Sequence, residues 1–216
     1  MSLTGWTAQT LHDYDCIMPR DAQLRELGDL TDIGAGYPFR SAFTAAADGP
    51  VAVVQLRDLR ADEPVDWQTL QRTHLAGRKP PDVLCDGDII FASRGTRFAA
   101  AAVQAPPLPA VCSQHFFVLR PRRGVPVLPA YLAWVLNSAP AQRTFAQAAE
   151  GSSQLSVRKP VLAQLRVPLV PLERQHAIVR FVQAAQEEQR TLERLIANRR
   201  REVDLLADAL ADQASG

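Results

Sequence analysis

The chain has 216 residues, 47% of them hydrophobic and 22% charged, with a formal net charge of +1, which allows one good core or one core plus an appendage. Its first residues, "MSLTGWTAQTLHDYDC", have neither the basic end nor the apolar run of a signal peptide, and no segment is apolar for long enough to cross a bilayer, so a cytoplasmic protein without membrane contact is expected. Cys16, Cys85 and Cys112 lie far apart with no paired spacing, which argues against a zinc site and a disulfide framework; no metal and no cofactor are expected.

Residues 1–22 match no usable pattern and are read as an N-terminal arm. The segments "PVAVVQL" (50–56), "DIIFAS" (88–93), "FAAAAV" (98–103) and "VCSQHFFVLR" (111–120) read as strands bounded by Gly-, Pro- and Asp-rich turns. "PAYLAWVLN", opening with Pro129, begins a helix, and "APAQRTFAQAA" continues as a second. "GSSQLSVRKPVLAQL" follows as a polar loop leading into a short helical turn. The expected fold class is α+β: one domain over residues 23–170 with a mixed or antiparallel sheet and short helices, then a long coiled-coil helix over 171–212 and a tail at 213–216.

That last helix is the longest uninterrupted pattern in the chain. Pro171 fits its first turn and Glu173 favours its positive end. Forty residues would span about 60 Å at roughly 1.5 Å each. The best heptad frame takes Ile178, Val182, Ala185, Gln189, Leu192, Ile196, Arg199, Val203, Leu206 and Leu210, eight of them apolar. An identical helix laid antiparallel about Arg194 pairs Ile178 with Leu210, Val182 with Leu206, Ala185 with Val203 and Leu192 with Ile196. The polar breaks Gln189 and Arg199 then face each other, which supports a homodimer. The stripe could instead pack on a different subunit or on the chain's own domain.

The small net charge hides a strong asymmetry. Residues 1–88 hold 8 basic and 14 acidic side chains, residues 89–172 hold 9 and 1, and residues 173–216 hold 7 and 8. From Ile89 to Ala149 there is no acidic residue, while Arg94, Arg97, Arg120, Arg122, Arg123 and Arg143 all fall there. Such a block suggests a surface facing a polyanion, with arginines forking onto phosphate oxygens or guanine edges. The other reading is that these arginines point apart from separate strands and loops.

Catalytic signatures are missing: there is no Gly-x-x-x-x-Gly-Lys loop, no Gly-x-Ser-x-Gly elbow and no His-Glu-x-x-His pair. Asp82, Asp86 and Asp88 could suggest a nuclease metal site, but neither lysine, Lys79 or Lys159, sits in an acid-x-Lys arrangement, so a structural turn before the strand at Asp88 is the better account. His115, inside a strand, reads as a core or nucleic-acid-facing side chain rather than a ligand.

The succession "GAGYPFRSAF", "VVQLRDL", "LCDGDIIFASRGT", "PAYLAWVLNS", "AEGSSQLSVRKPVLAQLRVPLVPLERQHAIV" and a long helix resembles one half of the specificity subunit of type I restriction-modification systems. The resemblance covers about residues 24–210. It implies a target-recognition domain that reads a few base pairs of double-stranded DNA, and a helix that holds two such domains apart while docking adenine methyltransferase subunits. The family usually carries two domains and two helices in one chain, so this chain looks like a single-domain, half-sized version. After "SRGT", where the family commonly has another glycine, this chain has Arg97 and Phe98.

The loops themselves are suited to such a role. Gly95 permits a tight turn that places Arg94, Thr96 and Arg97 at a tip able to enter a major groove. "GYPFRS" presents Tyr37, Arg40 and Ser41 on a turn, where Tyr37 and Phe39 could alternatively form a hydrophobic plug. "GSSQLSVRK" offers Ser152, Ser153, Gln154, Arg158 and Lys159 for phosphate contacts, with Gln154 able to read adenine; a plain capping motif is the other account. The sequence therefore points to a non-enzymatic DNA-recognition subunit that dimerises through its last helix and positions methyltransferase subunits on a bipartite palindrome. The alternative is an assembly or regulatory protein that binds methyltransferase or specificity subunits through the same helix without reading DNA.

Overall fold

Two segments, "VAVV" and "IIFA", are apolar at every position, and both become strands covered on each face: β3 (Val51–Val54) and β5 (Ile89–Ala92) are buried throughout. They are the interior strands of two sheets in an α+β fold. The computed structural model describes residues 23–39, 43–61, 63–75, 81–95, 97–151 and 155–214, with 207–214 described by backbone alone.

In chain order the elements are β1 (Gln23–Glu26), α1 (Leu27–Leu30), β2 (Thr31–Ala35), β3, β4 (Gln71–Thr73), β5, β6 (Ala100–Ala102), β7 (Ala110–Cys112), β8 (Phe116–Pro121), α2 (Pro129–Asn137), α3 (Ala139–Ala148), α4 (Lys159–Ala163), β9 (Arg166–Leu169) and α5 (Leu172–Ala214). One sheet runs β2-β8-β5-β6 with antiparallel neighbours, in the register Ile33↔Leu119, Ile90↔Val118 and Phe91↔Ala100. A second runs β4-β3-β7, antiparallel on one side of β3 and parallel on the other. β1 and β9 form an antiparallel pair that ties residue 23 to residue 169.

The strand expected over 111–120 is two strands in different sheets. β7 lies beside β3, β8 lies between β2 and β5, and the Ser113 carbonyl accepts the Phe116 N–H at 3.1 Å to close the turn between them. The polar triplet Ser113-Gln114-His115 interrupts the apolar run, so the chain turns there, and His115 sits in that turn instead of inside a strand. Side chains from both sheets share one core, with Val54, Ile90, Ala101, Cys112, Phe116 and Val118 in the same cluster. Burial there pushes the Cys112 thiol up to about 12.

Side-chain amides finish what the strands leave open. The outer edge of β6 is met by Asn137, which exchanges two 2.9 Å bonds with the Ala100 backbone, and by Gln142, which donates to the Phe98 carbonyl at 2.9 Å. They replace a missing neighbouring strand and blunt the edge. Phe98, one of the two residues that depart from the family's loop pattern, is only 2% exposed and stacks near Phe91 and Phe145. At the end of the domain Gln175 is fully buried: its Oε1 accepts the Leu128 N–H at 2.8 Å, and its Nε2 donates to the carbonyls of Pro126 at 2.9 Å and Val170 at 2.8 Å.

Pro171 stands just ahead of α5, one residue outside the helix it was expected to open, and its carbonyl accepts the N–H groups of Arg174 and Gln175. The chain divides into two compact units between Gln175 and His176, so the first turn of α5 belongs to the first unit. Considered by itself, the rest of α5 exposes apolar side chains: Leu192, Leu195, Ile196, Val203, Leu205 and Leu206 are each more than half exposed. Among the described residues no helix is long and apolar enough to cross a membrane.

Replacing Gln175 with alanine removes three hydrogen bonds and leaves the buried Val170 carbonyl without this partner. The expected result is a loss of roughly 2–4 kcal/mol in urea-induced unfolding, with the largest loss of amide-exchange protection around Leu128 and Val170.

Candidate nucleic-acid interface

A row of backbone hydrogen bonds gathers loops that are far apart in sequence. The Gly36 N–H reaches the Phe116 carbonyl at 3.0 Å and the Tyr37 N–H reaches the Cys112 carbonyl at 2.8 Å. Only glycine fits at position 36, because an added Cβ would lie 2.0 Å from the Ser113 carbonyl oxygen. On the other side of the Ser113–His115 turn, the His115 carbonyl accepts both the N–H and the hydroxyl of Ser93, at 2.9 and 2.8 Å. Ser93 and Gly95 then pair with the next segment, through Val157 N–H to Ser93 carbonyl at 2.9 Å and Gly95 N–H to Leu155 carbonyl at 3.1 Å. Ser156 in turn pairs with Glu150. Gly95 takes φ +124°, which a residue with a side chain adopts only under strain. The order across this rim is therefore the segment at Tyr37, the His115 turn, the Arg94 tip and the segments at Glu150 and 155–158.

The rim brings together Tyr37, Arg94, His115 and the base of the segment that carries Arg158. Arg94 and Arg97 are exposed, and among the described residues no carboxylate forms an ion pair with Arg94. Tyr37 is partly buried against Phe39, with ring centroids 4.9 Å apart edge to face, and both pack on Val51, Val53 and Val111. His115 titrates below its ordinary value, first because burial disfavours the imidazolium and second because Arg94 repels it. Arg158 is exposed and paired with Glu150, and Lys159 donates its ammonium to the Ile33 carbonyl. Arg40, Ser41, Thr96, Ser152, Ser153 and Gln154 lie outside the described residues.

Part of the basic block is spent inside the domain. Arg120 grips Asp88, whose carboxylate is 4% exposed, with Nε 3.0 Å from Oδ1; it also reaches Asp82 at 2.8 Å and the Val83 carbonyl at 2.9 Å. Arg122 pairs with Asp32 at 3.0 Å. The acidic first part of the chain folds back on both arginines: Arg120 is a structural cation holding a buried carboxylate, while Arg122 is balanced by an exposed partner at the surface. The aspartates have their own duties: Asp88 accepts the Cys85 N–H at 2.9 Å and Asp86 accepts the Ala105 N–H at 2.8 Å, where Ala105 has φ +32°. Among the described residues no group of His, Cys, Asp or Glu side chains could hold a metal.

Beside the His115 turn lies a cavity of about 370 Å³ lined by Phe39, Phe43, Gln55, Arg57, Ser113, Gln114 and His115. Sequence reasoning singled out only His115 of its polar members. The signal that could have found the others is the Ser-Gln-His triplet set inside an apolar run.

Over residues 19–199 the chain matches the family model described as the type I restriction modification DNA specificity domain. No curated protein sequence matches it. Among solved structures, a chain from a study of complex assembly and conformational transition in a type I R-M system superposes with a TM-score of 0.65 at 21% identity, covering 96% of this chain and 53% of that one. The HsdS subunit from Thermoanaerobacter tengcongensis gives a TM-score of 0.57 at 18% identity, covering 87% and 46%. The S subunit of the type I restriction-modification system of M. genitalium gives 0.55 at 15%, covering 85% and 44%. At these identities the shared property is the fold, and this chain spans about half the length of the structures it matches.

The division between structural and displayed arginines is open to test. Arg120→Ala should destabilise the protein by roughly 2–4 kcal/mol, because it leaves the buried Asp88 carboxylate without its cation while the guanidinium it removes was already partly wet. Arg94→Ala and Arg123→Ala should leave the urea midpoint unchanged.

Proposed function

The chain belongs to the type I restriction modification DNA specificity family, and from that premise we propose that it supplies a DNA-reading domain to the recognition subunit of a methyltransferase complex. The observation that carries this reading is the rim, where segments distant in sequence converge to present Arg94 beside His115 and residues 155–158. Arg94 and Arg97 would supply base-edge or phosphate contacts, and Arg158 would exchange Glu150 for a phosphate. The domain over residues 23–170 reads DNA and performs no chemistry; methyl transfer is left to the partner subunits.

The reading domain of this chain would be joined in the complex by that of a second copy. The helix over 171–212 would make the dimer, antiparallel about Arg194, with Leu192 and Ile196 at the centre of the seam. Those two side chains are 53% and 54% exposed in the single chain. Gln189 and Arg199, the polar breaks, each bond to a residue on their own helix, Glu193 and Glu202, at 2.9 and 2.7 Å. The side chain of Leu210 lies outside the described residues.

Binding of the purified chain to duplex DNA should be weak and should fall steeply with salt, since each phosphate contact releases a counterion. Arg94→Ala combined with Arg97→Ala should remove most sequence preference, at roughly 1–3 kcal/mol per lost base contact. An assembly protein that bridges subunits without reading DNA would leave the modified sequence independent of these two residues.

Two copies related by a two-fold axis require a DNA site with the same symmetry. Single-molecule methylation mapping in cells that express only this chain and its methyltransferase should return a half-site, a fixed unread spacer and the reverse complement of that half-site. Leu192→Asp with Ile196→Asp should yield a monomer by light scattering and abolish the modification. An asymmetric modified sequence would sink the homodimer.

A further inference from the structure

The cavity beside the His115 turn has a property that sets it apart. Ser113 Oγ and His115 Nδ1 are, among the described residues, the two buried side-chain polar atoms with no hydrogen-bond partner, and both residues line this one cavity. Ser113 is only 8% exposed, so water outside the domain does not satisfy its hydroxyl. Leaving two polar groups unpaired in one place opposes folding, and a change of rotamer toward an occupant of the cavity would give each a partner.

The walls limit what that group can be. One side is apolar, with Phe39 and Phe43 edge to face at 5.6 Å and Val53 and Leu56 beside them. Arg57 would suit a phosphate or guanine, but its Nη2 donates to Gln71 Oε1 and its Nε lies 3.7 Å from Asp58, so its charge is engaged. Gln114 is exposed and lines the cavity with its amide uncommitted to any described strand or helix. An occupant with a small apolar knob next to a hydrogen-bonding edge fits these walls. The turn is bonded to Ser93 on one side and to the Tyr37 loop on the other, which puts the cavity on the same rim as Arg94.

We propose that this cavity reads one A·T pair through the major groove, with the thymine methyl against Phe39 and Phe43, Gln114 bridging adenine N6 and N7, and Ser113 and His115 rotating from their covered positions to meet thymine O4. The inference rests on the DNA-reading function proposed above and names the residues that set one position of the sequence. It makes Ser113 and Gln114 specificity-determining residues along with His115. A C·G pair, lacking the methyl, would leave the aromatic wall bare, and a guanine edge would bring two acceptors to a site where Gln114 offers one donor and one acceptor.

The test uses the assembled complex and the half-site obtained from methylation mapping. Each thymine of the duplex is replaced singly by deoxyuridine, which removes only the methyl, and binding is measured by fluorescence anisotropy at fixed salt. One position per half-site should bind roughly four-fold more weakly, the worth of one buried methyl, and the rest should be unchanged. Phe43→Ala should erase the difference between thymine and deoxyuridine at that position. Because Phe43 also packs on the core, Gln114→Ala provides an independent arm: it should keep the melting temperature and relax the methylation motif at the same base pair. Deoxyuridine tolerated at every position, or a half-site without an A·T pair, would overturn the cavity's role while sequence-specific binding left the family function standing. A complex with no sequence preference at all would overturn both.

Discussion

Ser93 is the joint on which the rim depends. Its N–H and its hydroxyl both reach the His115 carbonyl, and its own carbonyl takes the N–H of Val157. One residue at the end of β5 therefore holds two segments, 22 residues and 64 residues further along the chain, against the base of the Arg94 tip. The arrangement follows from a general constraint: where strands end and loops begin inside a domain, every buried N–H and carbonyl still needs a partner. Here the loops satisfy one another, and that mutual pairing is what gives them a fixed order. Loops positioned this way can display variable side chains without carrying the burden of the fold.

The same constraint accounts for the side-chain amides. Asn137 and Gln142 complete the edge of β6, and Gln175 completes the backbone where Pro126, Leu128 and Val170 meet. An amide carries a donor and an acceptor side by side, so it can replace a stretch of strand or a turn of helix. Glutamate or lysine at these places would supply one function and bury a charge.

How much of this could be read in the sequence depended on how local its cause was. β3 and β5 were legible because burial on both faces leaves an unbroken apolar run. α2 was legible from its opening proline and its apolar residues. β1, β2, β4 and β9, with sequences QLRE, TDIGA, QRT and RVPL, carry no such mark; each is a strand because a distant partner pairs with it. The break between β7 and β8 was written in Ser113-Gln114-His115, but an apolar run on either side masked it. At the site, glycine and proline marked the loops, while nothing local revealed which loops would meet. The charge block misled in the same way: Arg120 and Arg122 belong to a basic stretch of sequence, yet their partners Asp82, Asp88 and Asp32 come from the acidic one. A charge count along a chain does not resolve which charges cancel in space.

The long helix poses the opposite case, in which the sequence carries more information than a single chain can express. Heptad spacing is a local property and was visible at once, but a helix by itself has nothing to bury. In the described part of α5 beyond Gln175, Leu192, Ile196, Val203 and Leu206 stay exposed, and the pairs Gln189–Glu193 and Arg199–Glu202 are bonds within one helix. Surface pairs at that spacing contribute a few tenths of a kcal/mol each, so they do not account for four full turns of exposed apolar stripe in an ordered helix. In the proposed dimer the surface that buries this stripe is the same stripe on a second copy of the helix. Under the proposed function, a two-fold pairing of the helix would bury the stripe and bring another reading domain to the DNA in one step.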